Sequence, residues 1–182
     1  MPKSRATFTI SSLLALTLLA ALALFLFLPE PDPVQLMLNQ CRGKSVSAMQ
    51  EMPPGYLRSF CVREVHPGIL NSGFCEGFQH PYGYDYLIPC VEFYERIGCS
   101  RMADIFRSVI IAIRTQFGAK VLDGYIPNDY PSGFTAVSTD LTELDSLYYK
   151  EMKNLPKSPE GEADIAWAAI GYYLERFPED FQ

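Results

Sequence analysis

Residues 6–28, ATFTISSLLALTLLAALALFLFL, form an apolar run of 23 residues with no charge, proline or glycine. As a helix this run would rise about 1.5 Å per residue and reach roughly 35 Å, enough to cross a hydrocarbon core of about 30 Å with some tilt. A transmembrane anchor is therefore expected. A cleaved secretory signal is the competing reading, because Lys3 and Arg5 supply a basic start and Ala21-Leu22-Ala23 has the small-x-small form of a cleavage site. Cutting there would leave Leu24 to Leu28 as an exposed apolar end, and the run exceeds the about 7 to 15 apolar residues of a signal. The flanks set the orientation. Lys3 and Arg5 precede the run and Glu30 and Asp32 follow it, so residues 1–5 are expected in the cytoplasm and the remainder in the periplasm or outside the cell.

Residues 29–33, Pro-Glu-Pro-Asp-Pro, read as a short stiff spacer, and residues 34–182 are about the size of one ordinary domain. From residue 29 onward the chain carries 13 basic and 21 acidic residues, a formal charge of −8. A surface of this sign is repelled by nucleic acid and by anionic lipid, so direct nucleic-acid binding is not expected, and membrane contact is assigned to residues 6–28 alone. The five cysteines, Cys41, Cys61, Cys75, Cys90 and Cys99, would tend to pair in an oxidising compartment, with at most two bridges and one thiol left over. Packing as small buried apolar side chains is the other reading.

Helical periodicity runs through the domain. Val34, Met37, Leu38 and Cys41 share one face of a helix that Gly43 should end, and Pro53-Pro54-Gly55 breaks residues 44–55. Leu57, Phe60, Cys61 and Val65 restart the period, with a stop expected at His66-Pro67-Gly68 and a turn at Asn71-Ser72-Gly73 feeding a short helix with Phe74 and Phe78. After His80-Pro81-Tyr82-Gly83, Asp85 is placed to cap a helix that reaches Ile97, with Pro89 in its first turn and Gly98 past its end. From Ser100, the residues Met102, Ile105, Phe106, Val109, Ile110 and Ile113 form a wide stripe, the expected core helix. Residues 117–138 read as a long loop. A helix through Leu141, Leu144, Leu147, Tyr148 and Met152 follows, and a last one opens at Ser158-Pro159 and carries Trp167, Ile170, Leu174 and Phe177. No stretch alternates as a strand would, so the fold class is all-α: an N-terminal transmembrane helix followed by a single multi-helix domain.

Catalytic signatures are absent: there is no HExxH, GxSxG, P-loop or GxGxxG. Glu92 with Glu95, and Asp140 with Glu143, are carboxylate pairs at helical spacing that read as solvated surface. A near repeat, Phe60-Cys61-x4-His66-Pro67 and Phe74-Cys75-x4-His80-Pro81, uses both histidines. Cys61, His66, Cys75 and His80 are the donor set of a tetrahedral zinc site, and hence of a metal-binding enzyme. The spacing opposes it, since five residues along a helix turn two side chains about 140° apart. The expectation is a protein with no cofactor and no catalytic residues, one that binds another protein.

Leu70-Asn71-Ser72-Gly73-Phe74 followed by Phe78, the helix ending Glu95-Arg96-Ile97-Gly98, the apolar helix from Arg101, and the stretches Leu141 to Tyr149 and Tyr172-Tyr173-Leu174 to Pro178-Glu179-Asp180-Phe181 carry a resemblance. Over roughly residues 50–182 the chain resembles the helical domain of the DNA-mimic protein family first described from Neisseria, with its Asn-Gly-Gly-Phe hallmark and its Pro-Glu-x-Phe-like end. Ser72 replaces the first hallmark glycine, and Glu76, Gly77 and His80 also differ from the family's habit. The resemblance implies an all-helical, acidic, non-enzymatic domain that binds a protein, in the best-known case the DNA-binding surface of a transcription factor. It places candidate binding residues at Asn71, Gly73, Phe74 and Phe78. Export would separate such a domain from transcription factors, so the mimic role belongs to the alternative in which the domain is cytoplasmic. If residues 6–28 anchor the chain, the full-length protein pellets with membranes and is extracted by detergent but not by high salt or carbonate, which membrane fractionation checks.

Overall fold

A computed structural model of the chain describes residues 15–19, 32–77, 86–117, 138–155 and 165–182. Residues 15–19 are helical and belong to a separate unit, Met1–Asp32, while Pro33–Gln182 forms a second unit. The rest of the apolar run 6–28, and residues 29–31 of the spacer, lie outside the described residues. Among the described residues no helix is long and apolar enough to cross a membrane.

The second unit is all-α among its described residues: α1 (Pro33–Cys41), α2 (Val46–Gln50), α3 (Pro54–Gly77), α4 (Leu87–Arg96), α5 (Ser100–Phe117), α6 (Ser138–Met152), α7 (Ile165–Arg176) and a closing 3-10 turn at Pro178–Phe181. Val34, Met37, Leu38 and Cys41 of α1 are buried, as their spacing requires. Residues 45–50 hold a short helix where only a break was expected, and Ser45 caps it by accepting the Ala48 N–H. The end of α4 shows why Gly98 is there. Gly98 takes φ 77°, its N–H bonds the Glu95 carbonyl and the Cys99 N–H bonds the Tyr94 carbonyl at 2.8 Å, which satisfies two orphan acceptors and turns the chain straight into α5. Asp85, expected to cap α4, and Ser158-Pro159, expected to open the last helix, lie outside the described residues, as does the loop 118–137.

The main correction concerns α3. His66-Pro67-Gly68 does not stop it, and the helix runs on to Gly73, where φ 69° and ψ −179° break the helical geometry. Pro67 removes the donor for the Arg63 carbonyl, but Arg63 and Pro67 both lie on the exposed side, where water can satisfy that oxygen. The buried side, with Cys61, Val62, Val65, His66 and Ile69, passes through the proline unbroken. The stripe of α5 is buried as expected, from Met102 through Phe106 to Ile113. Yet α3, not α5, is the element the others share, since it packs against α1, α2, α4, α6, α7 and the closing turn.

Aromatic rings fill the space between these helices. Phe74 of α3 meets Phe106 of α5 and Tyr148 of α6 edge-on at 5.6 and 5.3 Å, and Tyr94 of α4 stacks on Phe106 at 5.4 Å. Phe93 of α4 meets Tyr173 of α7 at 5.1 Å. Each such side chain contributes about 2–3 kcal/mol through burial, and edge-to-face contacts add about 1 kcal/mol. The expected pairing of cysteines is not seen among the described residues. Cys41, Cys61 and Cys90 are buried thiols and Cys99 is half-buried, and burial pushes the Cys41, Cys90 and Cys99 thiols above their ordinary pKa. They behave as the small apolar side chains of the other reading.

His66 is 3% exposed, with Nδ1 against the Tyr148 hydroxyl and no hydrogen-bond partner for Nε2 among the described residues. Burial lowers its pKa to about 4. The unfolded chain, titrating near 6.5, therefore binds the proton more tightly than the folded one, and stability falls as the pH drops from about 6.5 towards 4. The cost approaches about 3 kcal/mol at the acid end of that window. Urea denaturation of the unaltered chain and of His66→Gln, compared between pH 7.5 and 4.5, should show this component in the former and its loss in the latter.

Candidate functional site

The hallmark stretch sits where α3 breaks, and α6 holds it there. Gly73 lies in a region of backbone space that is essentially closed to residues with a Cβ. A Cβ at Gly73 would also stand 2.4 Å from Oδ2 of Asp145. The bend turns the Phe74 N–H onto Oδ1 of Asp145 at 2.7 Å. Burial raises the Asp145 pKa, partly offset by that N–H. Four residues along α6, the Tyr149 hydroxyl donates to the carbonyls of Ile69 at 2.9 Å and Leu70 at 3.1 Å, in the last turn before the break. Between them, Tyr148 points its hydroxyl at His66.

Of the four candidate binding residues, Asn71 is exposed, Gly73 and Phe74 are buried, and Phe78 lies outside the described residues. Phe74, at 0% exposure, is a core aromatic and presents nothing to a partner. Ser72 is exposed and does not have positive φ, so serine is accommodated where the family has glycine. Cys61 and His66 share α3, while His80 and the side chain of Cys75 lie outside the described residues. No group of three or more His, Cys, Asp or Glu among the described residues could hold a metal ion. Glu92 and Glu95 do not act as a pair: Glu92 meets Arg58 of α3 and Glu95 meets Arg107 of α5.

The Pro-Glu-Asp-Phe end is gripped more firmly than its exposure suggests. Arg96 forks onto Asp180, Nε to Oδ2 at 2.9 Å and Nη2 to Oδ1 at 3.1 Å, and its guanidinium lies 4.3 Å from the centre of the Phe177 ring. Arg58 reaches the same carboxylate at 3.2 Å and the Tyr173 hydroxyl at 3.1 Å, and Tyr173 donates to Asp180 at 2.6 Å. Burial would raise the Asp180 pKa, but the bonds from Arg96 and Tyr173 and the charges of both arginines hold it below the usual carboxylate value. Burial and the bond to Asp180 push Tyr173 up to about 12. Phe181 packs against Tyr56 and Tyr173, over Gly55, whose Cβ would stand 2.7 Å from the ring.

One groove opens between α5 and α6. It has a volume of about 350 Å³, a floor of Ile105, Leu144 and Leu147, and a rim that includes Arg101, Asp104, Lys150 and Glu151. Leu147 is 44% exposed there.

The sequence profile described as DMP19-like protein matches residues 50–169, from the end of α2 into α7. The chain belongs to the DMP19-like family. This is the DNA-mimic family whose resemblance the Asn71–Phe74 stretch carries. No curated protein and no solved structure matches the chain. The matched span contains the α3 break, Asp145, Tyr148 and Tyr149 and the α5–α6 groove, and it stops short of the closing turn. Asp145, Tyr148 and Tyr149 were not legible as partners of the hallmark. Their one signal is an aspartate and two tyrosines among the leucines of an apolar stripe.

Gly73→Ala should cost about 3 kcal/mol, from an unfavourable backbone geometry and the collision with Asp145. Asp145→Ala should cost about 1–3 kcal/mol by stranding the Phe74 N–H. The double variant should cost less than the sum by about 1 kcal/mol, since the collision disappears with the carboxylate. Urea midpoints of the four chains give the coupling.

Proposed function

We propose that this DMP19-like domain acts without catalysis, by binding a DNA-binding protein and competing with DNA for it. What carries the reading is the profile match over residues 50–169, because the family is one of DNA mimics. The charge supports it: the chain carries 21 acidic against 15 basic residues, and a net formal charge of −6 suits a cationic DNA-binding surface. So does the fate of the groups that might do chemistry. His66 lies under the surface against Tyr148, and Cys61 and Cys90 are buried, out of reach of a substrate. The α5–α6 groove, with an apolar floor and a charged rim, has the make-up of a surface that takes a protein segment.

A second reading follows from residues 6–28 and their basic N-terminal flank: the same domain anchored in a membrane, facing away from the cytoplasm, and binding a protein there. Activity of a periplasm-dependent reporter fused after Gln182 supports this second topology and removes the mimic role. For the first, full-length protein in mild detergent is immobilised and used to capture proteins from its own cell extract. Excess duplex DNA should release the retained protein by about tenfold or more, and the domain itself should not shift the duplex in a gel. Retention that DNA leaves unchanged overturns competition with DNA.

A further inference from the structure

We propose that Arg58, Arg96, Tyr173 and Gly55 form a binding site for acidic-aromatic peptides of the Glu-Asp-Phe type, which the chain's own residues 178–181 occupy in cis. This goes beyond the mimic reading and does not rest on it. The grip is concentrated on adjacent side chains of a four-residue segment. Asp180 receives a two-point fork from Arg96 and further donors from Arg58 and Tyr173, and Phe181 fills the notch that Gly55 leaves open. Such a carboxylate fork beside an aromatic notch recognises a chemical pattern, one that any segment with the same two side chains can supply.

The segment is also built to leave. None of its residues is buried, and it hangs from α7 by Phe177, whose φ −132° and ψ 56° lie outside both helices. Ile165, Ala166, Ala169 and Ile170 are buried along α7 and hold it to the core. Opening therefore breaks a local set of contacts, the kind of unit that detaches well before a domain unfolds. It also reverses the local charge. With the segment docked, the two arginines Arg58 and Arg96 pair with Glu92, Glu179 and Asp180, and with it released Glu92 is the one of these three carboxylates that stays. A cradle with an excess of positive charge in a chain of net formal charge −6 selects acidic ligands. Because the resident segment is tethered, it competes at a high effective concentration and admits only a partner that outbids it.

The probe is a fluorescein-labelled peptide with the sequence of residues 178–182, Pro-Glu-Asp-Phe-Gln, followed by anisotropy. A chain ending at Phe177 should bind it saturably, the full chain about tenfold or more weakly, and a peptide with Asn in place of its Asp should lose about tenfold on the shortened chain. Full-length Asp180→Asn, which loosens the resident segment and keeps the cradle, should bind the unaltered peptide more tightly than the unaltered chain does. If the shortened chain keeps the helical circular dichroism of the full chain yet shows no saturation up to about 1 mM peptide, there is no such site. If shortening costs the fold, Asp180→Asn decides, and binding no tighter than that of the unaltered chain overturns the proposal.

Discussion

The break in α3 at Gly73 is the constraint on which the remaining packing rests. A continuous helix would carry Phe74 round to another face. The bend instead sends its ring between Phe106 and Tyr148 and its N–H to Asp145. The same helix that supplies Asp145 supplies Tyr149, whose hydroxyl donates to the carbonyls of Ile69 and Leu70 just before the break. Backbone groups on both sides of Gly73 are thus bonded by one neighbouring helix, which fixes α6 against α3. The hallmark glycine and phenylalanine are both buried at this break.

Charge plays a different part from apolar packing. Arg58, Arg96 and Arg107 each reach a carboxylate on another element, Glu92 and Asp180 for Arg58, Asp180 and Glu179 for Arg96, and Glu95 for Arg107. Exposed pairs of this kind add little net stability, so their value lies in setting how α3, α4, α5 and the closing turn meet. Aromatic and aliphatic burial supplies the stability, and the arginines choose among nearby arrangements.

Much of this was legible in the residues. The faces of α1 and α5 and the glycine stop after α4 follow directly from spacing and backbone chemistry, because each is decided within a few residues. The continuation of α3 through Pro67 was not legible. Whether a proline ends a helix depends on whether its orphaned carbonyl faces water or the core, and that is settled by distant packing. For the same reason the role of Asp145 was hidden: its partner at Phe74 lies far back along the chain. Position 74 could be named as important from the resemblance, yet the resemblance could not say that its importance is internal. Arg96 and Asp180 stood out only through the resemblance and Arg58 not at all, because three separate elements bring them together.

The burial of the described cysteines has a consequence for their reactivity. Cys41, Cys61 and Cys90 are interior filling, and Cys99 follows the turn that closes α4. A thiol packed inside is reached by an oxidant or an alkylating reagent only when the helices around it part. The rate at which Cys41 and Cys90 are modified is thus a clock for the opening of the body around them.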